Sequence, residues 1–199
     1  MSAIRLRGAT SGTTDVVAAA IAGDGVMTLP TGTGTLATQA FVNTAVAAGG
    51  KVLQVVSVTK VDTFTTTSTS YVDVTGLTAS ITPSATSSKI LVLFKVPLNP
   101  RGNATAAVQL LRGATVIGGG TAAGSRPSAM SSVYFLGANG AGDAMGNILD
   151  TPNSVSSQTY KIQAIVQSGT LGINTTHDDG DGTYAFRTSS TITLMEIGA

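Results

Sequence analysis

The sequence has no cysteine and no tryptophan, and it contains a single histidine, His177, and a single glutamate, Glu196. The absence of cysteine excludes a disulfide framework and any cysteine-ligated metal. General acid–base catalysis has few candidate side chains, and no G-x-S-x-G nucleophile elbow occurs. We therefore expect a protein that is not an enzyme and that needs no cofactor.

Charged side chains are also scarce, at 11% of the 199 residues, with a net charge of +1. Globular chains usually carry about a quarter charged residues, which keep free monomers soluble. A surface so poor in charge is more natural in a subunit that packs against copies of itself. The near-zero net charge gives no electrostatic basis for binding nucleic acid or an anionic membrane.

Long apolar runs are missing as well. No stretch approaches the roughly 20 apolar residues of a membrane-spanning helix. The apolar run Val16–Ala22 follows Asp15 and is interrupted by Gly23, which does not fit a signal peptide. We therefore expect no membrane partner, and an extracellular role would need another route of exit, such as cell lysis.

The first 35 residues consist of short apolar pieces separated by glycines. Ile4 and Leu6 alternate with Arg5 and Arg7, which is the period of a half-buried strand. Such a segment cannot bury a core of its own, so we expect residues 1–35 to dock onto another structure.

Residues 36–48 are spaced as in an amphipathic helix, and Gly49 and Gly50 would end it. A helix of about 13 residues is marginally stable in isolation. We therefore expect it to pack against identical helices and to form, with the two glycines, a trimerising segment at 36–50. Its predicted contact residues are Leu36, Phe41, Val42 and Ala45.

From Lys51 to the end, the pattern is that of β-strands separated by turns. Ile90–Val96 is apolar on both faces, which favours a central strand or one covered by another subunit, and Pro97 is expected to end it. Eight to ten strands without a helix between them predict a jelly-roll-like antiparallel β-sandwich head over 51–199. Further strands are expected at Leu77–Ile81, Ala106–Leu111, Ala114–Ile117, Ser132–Leu136, Tyr160–Val166, Thr183–Phe186 and Ser190–Ile197.

Three long loops are the candidate recognition elements of this head, because sandwich folds use the loops at their ends for binding. They are expected at 118–132, 137–157 and 172–182. Their candidate recognition residues are Arg126, Asn139, Asp143, Asn147, His177 and Asp179. Aromatic residues could also stack on sugar rings, or else pack in the core; these are Tyr134, Phe135, Tyr160, Tyr184 and Phe186.

The string His177–Gly182 holds three aspartates around glycines, Asp178, Asp179 and Asp181. Carboxylates in this arrangement are weak candidates for Ca²⁺ or Mg²⁺ ligands, but the bidentate glutamate of an EF-hand loop is missing. The favoured interpretation is a polar turn rich in turn-forming residues, without a bound metal.

Three stretches resemble bacteriophage fibre proteins. IRLRGATSGTTDVVAAAIAGDGVMTLP, at 4–30, is similar to a unit near the N-terminus of tail-fibre and related virion proteins, and LATQAFVNTAVAA, at 36–48, resembles the helix that often follows it. The segment from 52 onward and the closing STITLMEI resemble a C-terminal domain of phage fibres, especially marine ones. The resemblance implies a homotrimeric virion component whose segment 1–35 attaches to the particle.

Two placements on the particle remain open, a short receptor-binding fibre on the tail and a decoration, cement or head-fibre protein on the capsid. The implied partners are other virion proteins, either a tail adaptor or the capsid, and a glycan on the host surface. A second alternative, of a different class, is a Ca²⁺-dependent lectin-like module.

Overall fold

The computed structural model describes residues 3–7, 13–17, 51–135, 140–176 and 179–198. The chain divides into two compact units, Met1–Val42 and Asn43–Ala199. The helix predicted at 36–48, with Leu36, Phe41, Val42 and Ala45, lies outside the described residues. Within the described ranges there is no helix, and hence none long and apolar enough to cross a membrane.

The first unit contains a β-hairpin. Strand β1 (Ala3–Arg7) pairs antiparallel with β2 (Thr13–Val17), and the register places Ala3 opposite Val17. The strand predicted from the alternation of Ile4 and Leu6 is therefore confirmed.

The second unit is an antiparallel β-sandwich, which confirms the predicted fold class. Its described part contains eleven strands and no helix between them. The strands are β3 (Val52–Lys60), β4 (Phe64–Thr66), β5 (Val72–Ile81), β6 (Lys89–Pro100), β7 (Ala104–Arg112), β8 (Thr115–Ile117), β9 (Ser131–Phe135), β10 (Gly142–Asp150), β11 (Gln158–Val166), β12 (Leu171–Ile173) and β13 (Ser190–Ile197).

The first sheet is built around β6, as the sequence predicted for this apolar segment. Lys95 of β6 pairs with Met145 of β10 and with Thr191 of β13, so these two strands lie on opposite edges of β6. Strand β3 continues the sheet beyond β13. Strand β12 pairs with the last residues of β6, Leu98–Pro100, and β4 pairs with the other edge of β12.

The second sheet has the order β5-β11-β7, and β8 and β9 both pair with β7. The hairpin predicted around Gly113 is confirmed, because Arg112 pairs with Thr115 and Gly113 has a φ of +59°. Strand β5 contains a bulge, since its register with β11 shifts between Thr78 and Asp73. Gly76 lies in this bulge at a φ of +83°, a conformation that favours glycine.

The core lies between the two sheets and is filled by alternating residues of the long strands. The even-numbered residues of β11 point inward, as they do on β6 and β13. Aliphatic side chains dominate, as the low aromatic content predicts. Fully buried members include Leu77, Ile90, Val92, Val96, Leu110, Tyr160, Ile162, Val166, Ile192 and Leu194.

Strand β6 continues through Pro97, so the prediction that this proline ends the strand is wrong. On one edge β6 pairs with β13 as far as Lys95 and with β12 from Leu98 onward. Pro97 lies in the interval between these two partners, where no described strand needs its missing N–H. A proline is tolerated there because the sheet changes partners at that point.

The second long loop, predicted at 137–157, is wrong over residues 142–150. Residues 142–150 form β10, which pairs with β6 along nine consecutive positions. Residues 142–150 contain glycine and aspartate, which are depleted in strands, so the sequence did not indicate a strand there. Gly146 is required by packing, because a Cβ there would lie 2.6 Å from the Phe94 ring.

The strand predicted at Thr183–Phe186 is also wrong. These residues lie in an irregular loop between β12 and β13, in which the Ala185 N–H donates a hydrogen bond to the Gly182 carbonyl at 2.9 Å. These residues therefore form a tight turn in place of the predicted strand.

Candidate interaction surfaces

The outer face of the first sheet carries an apolar row across four strands. Met195 of β13 pairs with Val55 of β3 and with Leu91 of β6, and Leu91 pairs with Leu149 of β10. Strands lie about 4.8 Å apart, so the row is about 14 Å wide. Outer faces of antiparallel sheets normally carry polar residues. This row is therefore the feature of the fold that most needs a partner.

We call the apolar row and its apolar neighbours the outer patch. It comprises Leu53, Val55, Leu91, Leu93, Met145, Leu149 and Met195. Five of these residues, excluding Leu91 and Met195, are between 37% and 60% exposed. A contiguous group of half-exposed aliphatic side chains differs from the scattered single ones that are normal on a monomer.

The border of the outer patch is polar but carries little net charge. Ser57 and Thr193, one row away, bond to each other through their hydroxyls at 2.9 Å. Lys95 and Asp143 form an exposed ion pair at 3.2 Å. A shallow depression of about 380 Å³ lies in this part of the face, lined among others by Leu93, Met145 and Thr193. The charges of Lys95 and Asp143 are thus matched within the chain.

A second candidate surface is the loop between β12 and β13. Arg187 donates to both carboxylate oxygens of Asp179, from Nε at 3.1 Å and from Nη2 at 2.8 Å. Two aromatic residues lie between these partners, Tyr184 at 83% and Phe186 at 73% exposure. They are the most exposed of the large apolar residues in the described part of the chain.

The remaining aromatic candidates separate into core and surface. Tyr160 is fully buried, and its hydroxyl donates to Asp150 at 2.7 Å. Phe135 of β9 is half-buried, with its ring beside Gly142. Tyr134 of the same strand is exposed. Tyr184 and Phe186 are thus exposed together in one loop, Tyr134 is exposed by itself on β9, and Tyr160 belongs to the core.

The candidate recognition residues do not converge on one site. Arg126 lies at an exposed turn and forms an isolated antiparallel β-bridge with Ala123. Its side-chain Nε donates a hydrogen bond to the Ala123 carbonyl at 3.1 Å. Asp143 and Asn147 are strand residues on the outer face of β10, at the edge of the outer patch. Asn139 and His177 lie outside the described residues.

Two of the three weak metal candidates, Asp179 and Asp181, lie in the second surface. Both oxygens of Asp179 accept hydrogen bonds from Arg187, so this carboxylate is already neutralised. Asp181 is exposed, and Asp178 lies outside the described residues. Among the residues that the structure describes, no group of three or more His, Cys, Asp or Glu side chains is placed to hold a metal ion.

Two buried carboxylates have structural roles that the sequence did not reveal. Asp150 accepts from Arg112 at 2.6 Å and from Tyr160, and it links β10 of the first sheet to the second sheet. Burial and the Asp150 hydrogen bond raise the pKa of Tyr160. Glu196 accepts from the Ser84 N–H at 2.7 Å, and it holds the segment after β5 against β13. Local sequence gave no signal for either contact, because the partners are distant in the chain.

Comparison with known proteins does not show a family. No protein-family model matches the chain, and no curated protein matches it. Among solved structures, the chain is similar to the infectious bursal disease virus Gt strain structure, with a TM-score of 0.39, 12% identity, and coverage of 96% of this chain and 48% of that one. The Gx strain structure of the same virus gives a TM-score of 0.35 and 16% identity, with 73% of this chain and 38% of that chain covered.

The crystal structure of the VP2 subviral particle of the same virus gives a TM-score of 0.33 and 15% identity, with 72% of this chain and 39% of that chain covered. This chain therefore spans less than half the length of each of these proteins. Superpositions this loose carry no argument about the role of the chain, and the two surfaces described above remain the basis for a functional proposal.

Proposed function

We propose that the chain is a structural subunit of a bacteriophage particle, and that copies of it associate through the outer patch. The observation that carries this proposal is the apolar row across β3, β13, β6 and β10. Exposing the apolar side chains of this sheet face to water is unfavourable, and a partner that covers them removes this unfavourable free energy.

A second copy of the chain is the partner that the surface chemistry favours. Lys95 and Asp143 satisfy each other at the border, and the centre of the patch is aliphatic, so the attraction that the patch offers a partner is hydrophobic. Burying the exposed parts of its five half-exposed side chains would contribute on the order of 5 kcal/mol per copy. Three copies whose patches face a common three-fold axis would each present apolar surface to both neighbours. The low overall charge of 11% agrees with assembly into a larger particle.

The resemblance to phage fibres supplies the remaining parts of the proposal. In it three copies associate, residues 1–35 attach to a tail adaptor or to the capsid, and the segment 36–50 adds a second trimer contact through Leu36, Phe41, Val42 and Ala45. The head over 51–199 then presents its loops to the host surface. The protein would accordingly reside on the virion, without a catalytic activity or a bound cofactor.

Localisation on the particle tests this proposal directly. Antibodies raised against the chain, with gold labelling, would be applied to purified particles of the phage that encodes it and to particles from a deletion strain. We expect label on wild-type particles alone. Label on the tail supports the receptor-binding fibre, and label on the capsid supports the decoration or head-fibre placement. Particles without label, or equal label on the deletion strain, would rule out a virion subunit.

A further inference from the structure

We propose that the loop Asp179–Arg187 is a saccharide-binding site in which the rings of Tyr184 and Phe186 stack on a neutral sugar. This inference deepens the host-surface contact of the proposed function by naming the residues and the class of ligand. It is carried by three features of the loop, which are its fixed shape, its exposed rings and its surrounding polar groups.

The shape of the loop is fixed by contacts at its base and in its middle. The two hydrogen bonds from Arg187 to Asp179 join the ends of the loop. The bond from the Ala185 N–H to the Gly182 carbonyl closes a turn within it. Bidentate guanidinium–carboxylate pairs have defined geometry. A loop held in this way loses less conformational entropy when it binds a ligand.

The two rings project into solvent although the fold has a core that buries other aromatics. Tyr184 and Phe186 are 83% and 73% exposed, whereas Phe94 and Tyr160 are buried. Leaving a large apolar side chain exposed forgoes about 1.5–3 kcal/mol relative to burying it. The Tyr184 ring lies against Gly182, where an added Cβ would be 3.0 Å from the ring. The glycine thus lets the backbone support the ring from one side.

The groups around the rings match the chemistry of a sugar. A pyranose presents C–H groups on its faces and hydroxyls at its edge, and aromatic rings with nearby polar groups can contact both. Polar residues in and next to the loop are exposed as well, namely Asp181, Thr183, Thr188 and Ser189. Because Asp179 neutralises Arg187, the described loop carries no free cation for an anionic sugar.

The loop is joined to the end of β13 that lies away from the apolar row, and the outer patch extends toward this end only at Leu93 and Met145, of which Met145 lies in the row of Thr191. The loop enters β13 at Ser190, and Met195 of the apolar row lies five residues further along that strand, at a distance of about 17 Å. Association of copies through the row would therefore leave the loop free at the other end of the strand.

Saturation-transfer NMR on the full-length protein tests the proposal with a defined probe set. The neutral probes are tetramers of glucose, in both α and β linkages, of galactose and of N-acetylglucosamine, and heparin tetrasaccharide is the anionic probe. The variants are Tyr184→Ala and Phe186→Ala. Tyr134→Ala is the matched control, since Tyr134 is 61% exposed but lies on β9 outside the loop.

We expect at least one neutral tetramer to bind, and each loop variant to weaken its Kd about tenfold or more, while the control leaves Kd unchanged. Arg187→Lys keeps the charge but removes the two-pronged bond, so it should weaken binding about threefold. The site would be overturned if no neutral tetramer binds or if only heparin binds. It would also be overturned if Tyr134→Ala weakens the Kd as much as the loop variants do. A change in oligomeric mass in the loop variants would assign the rings to a subunit contact instead.

The result is separable from that of the proposed function. Binding is measured on the isolated protein, whereas particle labelling depends on neither ring. A labelled particle with no saccharide binding would leave the virion role standing and remove this site alone.

Discussion

Glu196 is the only glutamate of the chain, and its side chain is almost completely buried. Its carboxylate accepts hydrogen bonds from Ser84, through both the N–H and the hydroxyl, and from the Gln54 amide at 2.8 Å. Burial alone would raise the pKa of Glu196, but these hydrogen bonds outweigh it and lower the pKa to about 2. The ionised form therefore stabilises the fold.

The pH dependence of stability follows from this shift. A depressed pKa contributes stability that is fully present above the ordinary value of 4.5 and is lost as the pH falls toward 2. The contribution is about 3 kcal/mol at neutral pH. We expect the wild-type free energy of unfolding, measured by urea denaturation, to fall by this amount relative to Glu196→Gln between pH 5 and pH 2.

The matched control for this experiment is Asp143→Asn, which removes the exposed ion pair with Lys95. Exposed pairs contribute little, so this variant should change the free energy of unfolding by less than about 1 kcal/mol at any pH. A parallel pH dependence in wild type and Glu196→Gln would show that the buried carboxylate is not the group responsible.

At the scale of elements, β10 is the strand whose existence depends most on tertiary packing. Gly146 faces the core, and a Cβ at this position would lie 2.6 Å from the Phe94 ring and 3.0 Å from the Met130 methyl group. The absence of a side chain at this one position lets β10 lie close over the aromatic ring of β6.

Gly146→Ala should therefore destabilise the head. Forcing a methyl group against a well-packed ring costs about 1–3 kcal/mol. Thermal unfolding followed by circular dichroism would measure the loss. Gly120→Ala is the control, because a Cβ at Gly120 has no heavy atom within 4 Å, and it should leave the Tm nearly unchanged. Equal Tm values for wild type and Gly146→Ala would refute the packing argument.

The strands that could be predicted from the sequence are those with a strong local pattern. Alternation identified β5 and β11, and the two-sided apolar run identified the central β6. Strand β10 was missed because its inward positions include two glycines, Gly142 and Gly146, which carry no hydrophobic signal. Strands β4 and β12 have three residues each, too few for any periodicity to be visible.

The candidate surfaces were predictable only in part, for a similar reason. The aspartates around 177–182 indicated an exposed loop in the sequence, whereas Tyr184 and Phe186 fell in a predicted strand. The pairing of Asp179 with Arg187 depends on how the chain turns between them. The outer patch joins residues at positions 55, 91, 149 and 195. No local window contains them together, and the register of four strands is needed to bring them into one row.

At the scale of the whole molecule, the two outer faces of the sandwich differ in polarity. The second sheet carries polar contacts on its outer face, where Gln109 bonds to Gln163 at 2.7 Å and Gln163 bonds to Asp73 at 2.7 Å. The outer patch of the first sheet has aliphatic side chains in the corresponding place. This asymmetry is the basis for the central claim that the chain associates with copies of itself.

The mass of the full-length protein in solution tests that claim most directly. Sedimentation equilibrium would compare wild type, the double variant Val55→Lys with Leu149→Lys, and the control Val116→Lys with Val155→Lys. The control adds the same charge at exposed valines outside the outer patch. We predict three times the 19.8 kDa chain mass for wild type and control, and a lower average mass for the double variant, which keeps only the contact at 36–50. A monomeric wild type, or a double variant that associates as strongly as the control, would contradict the account.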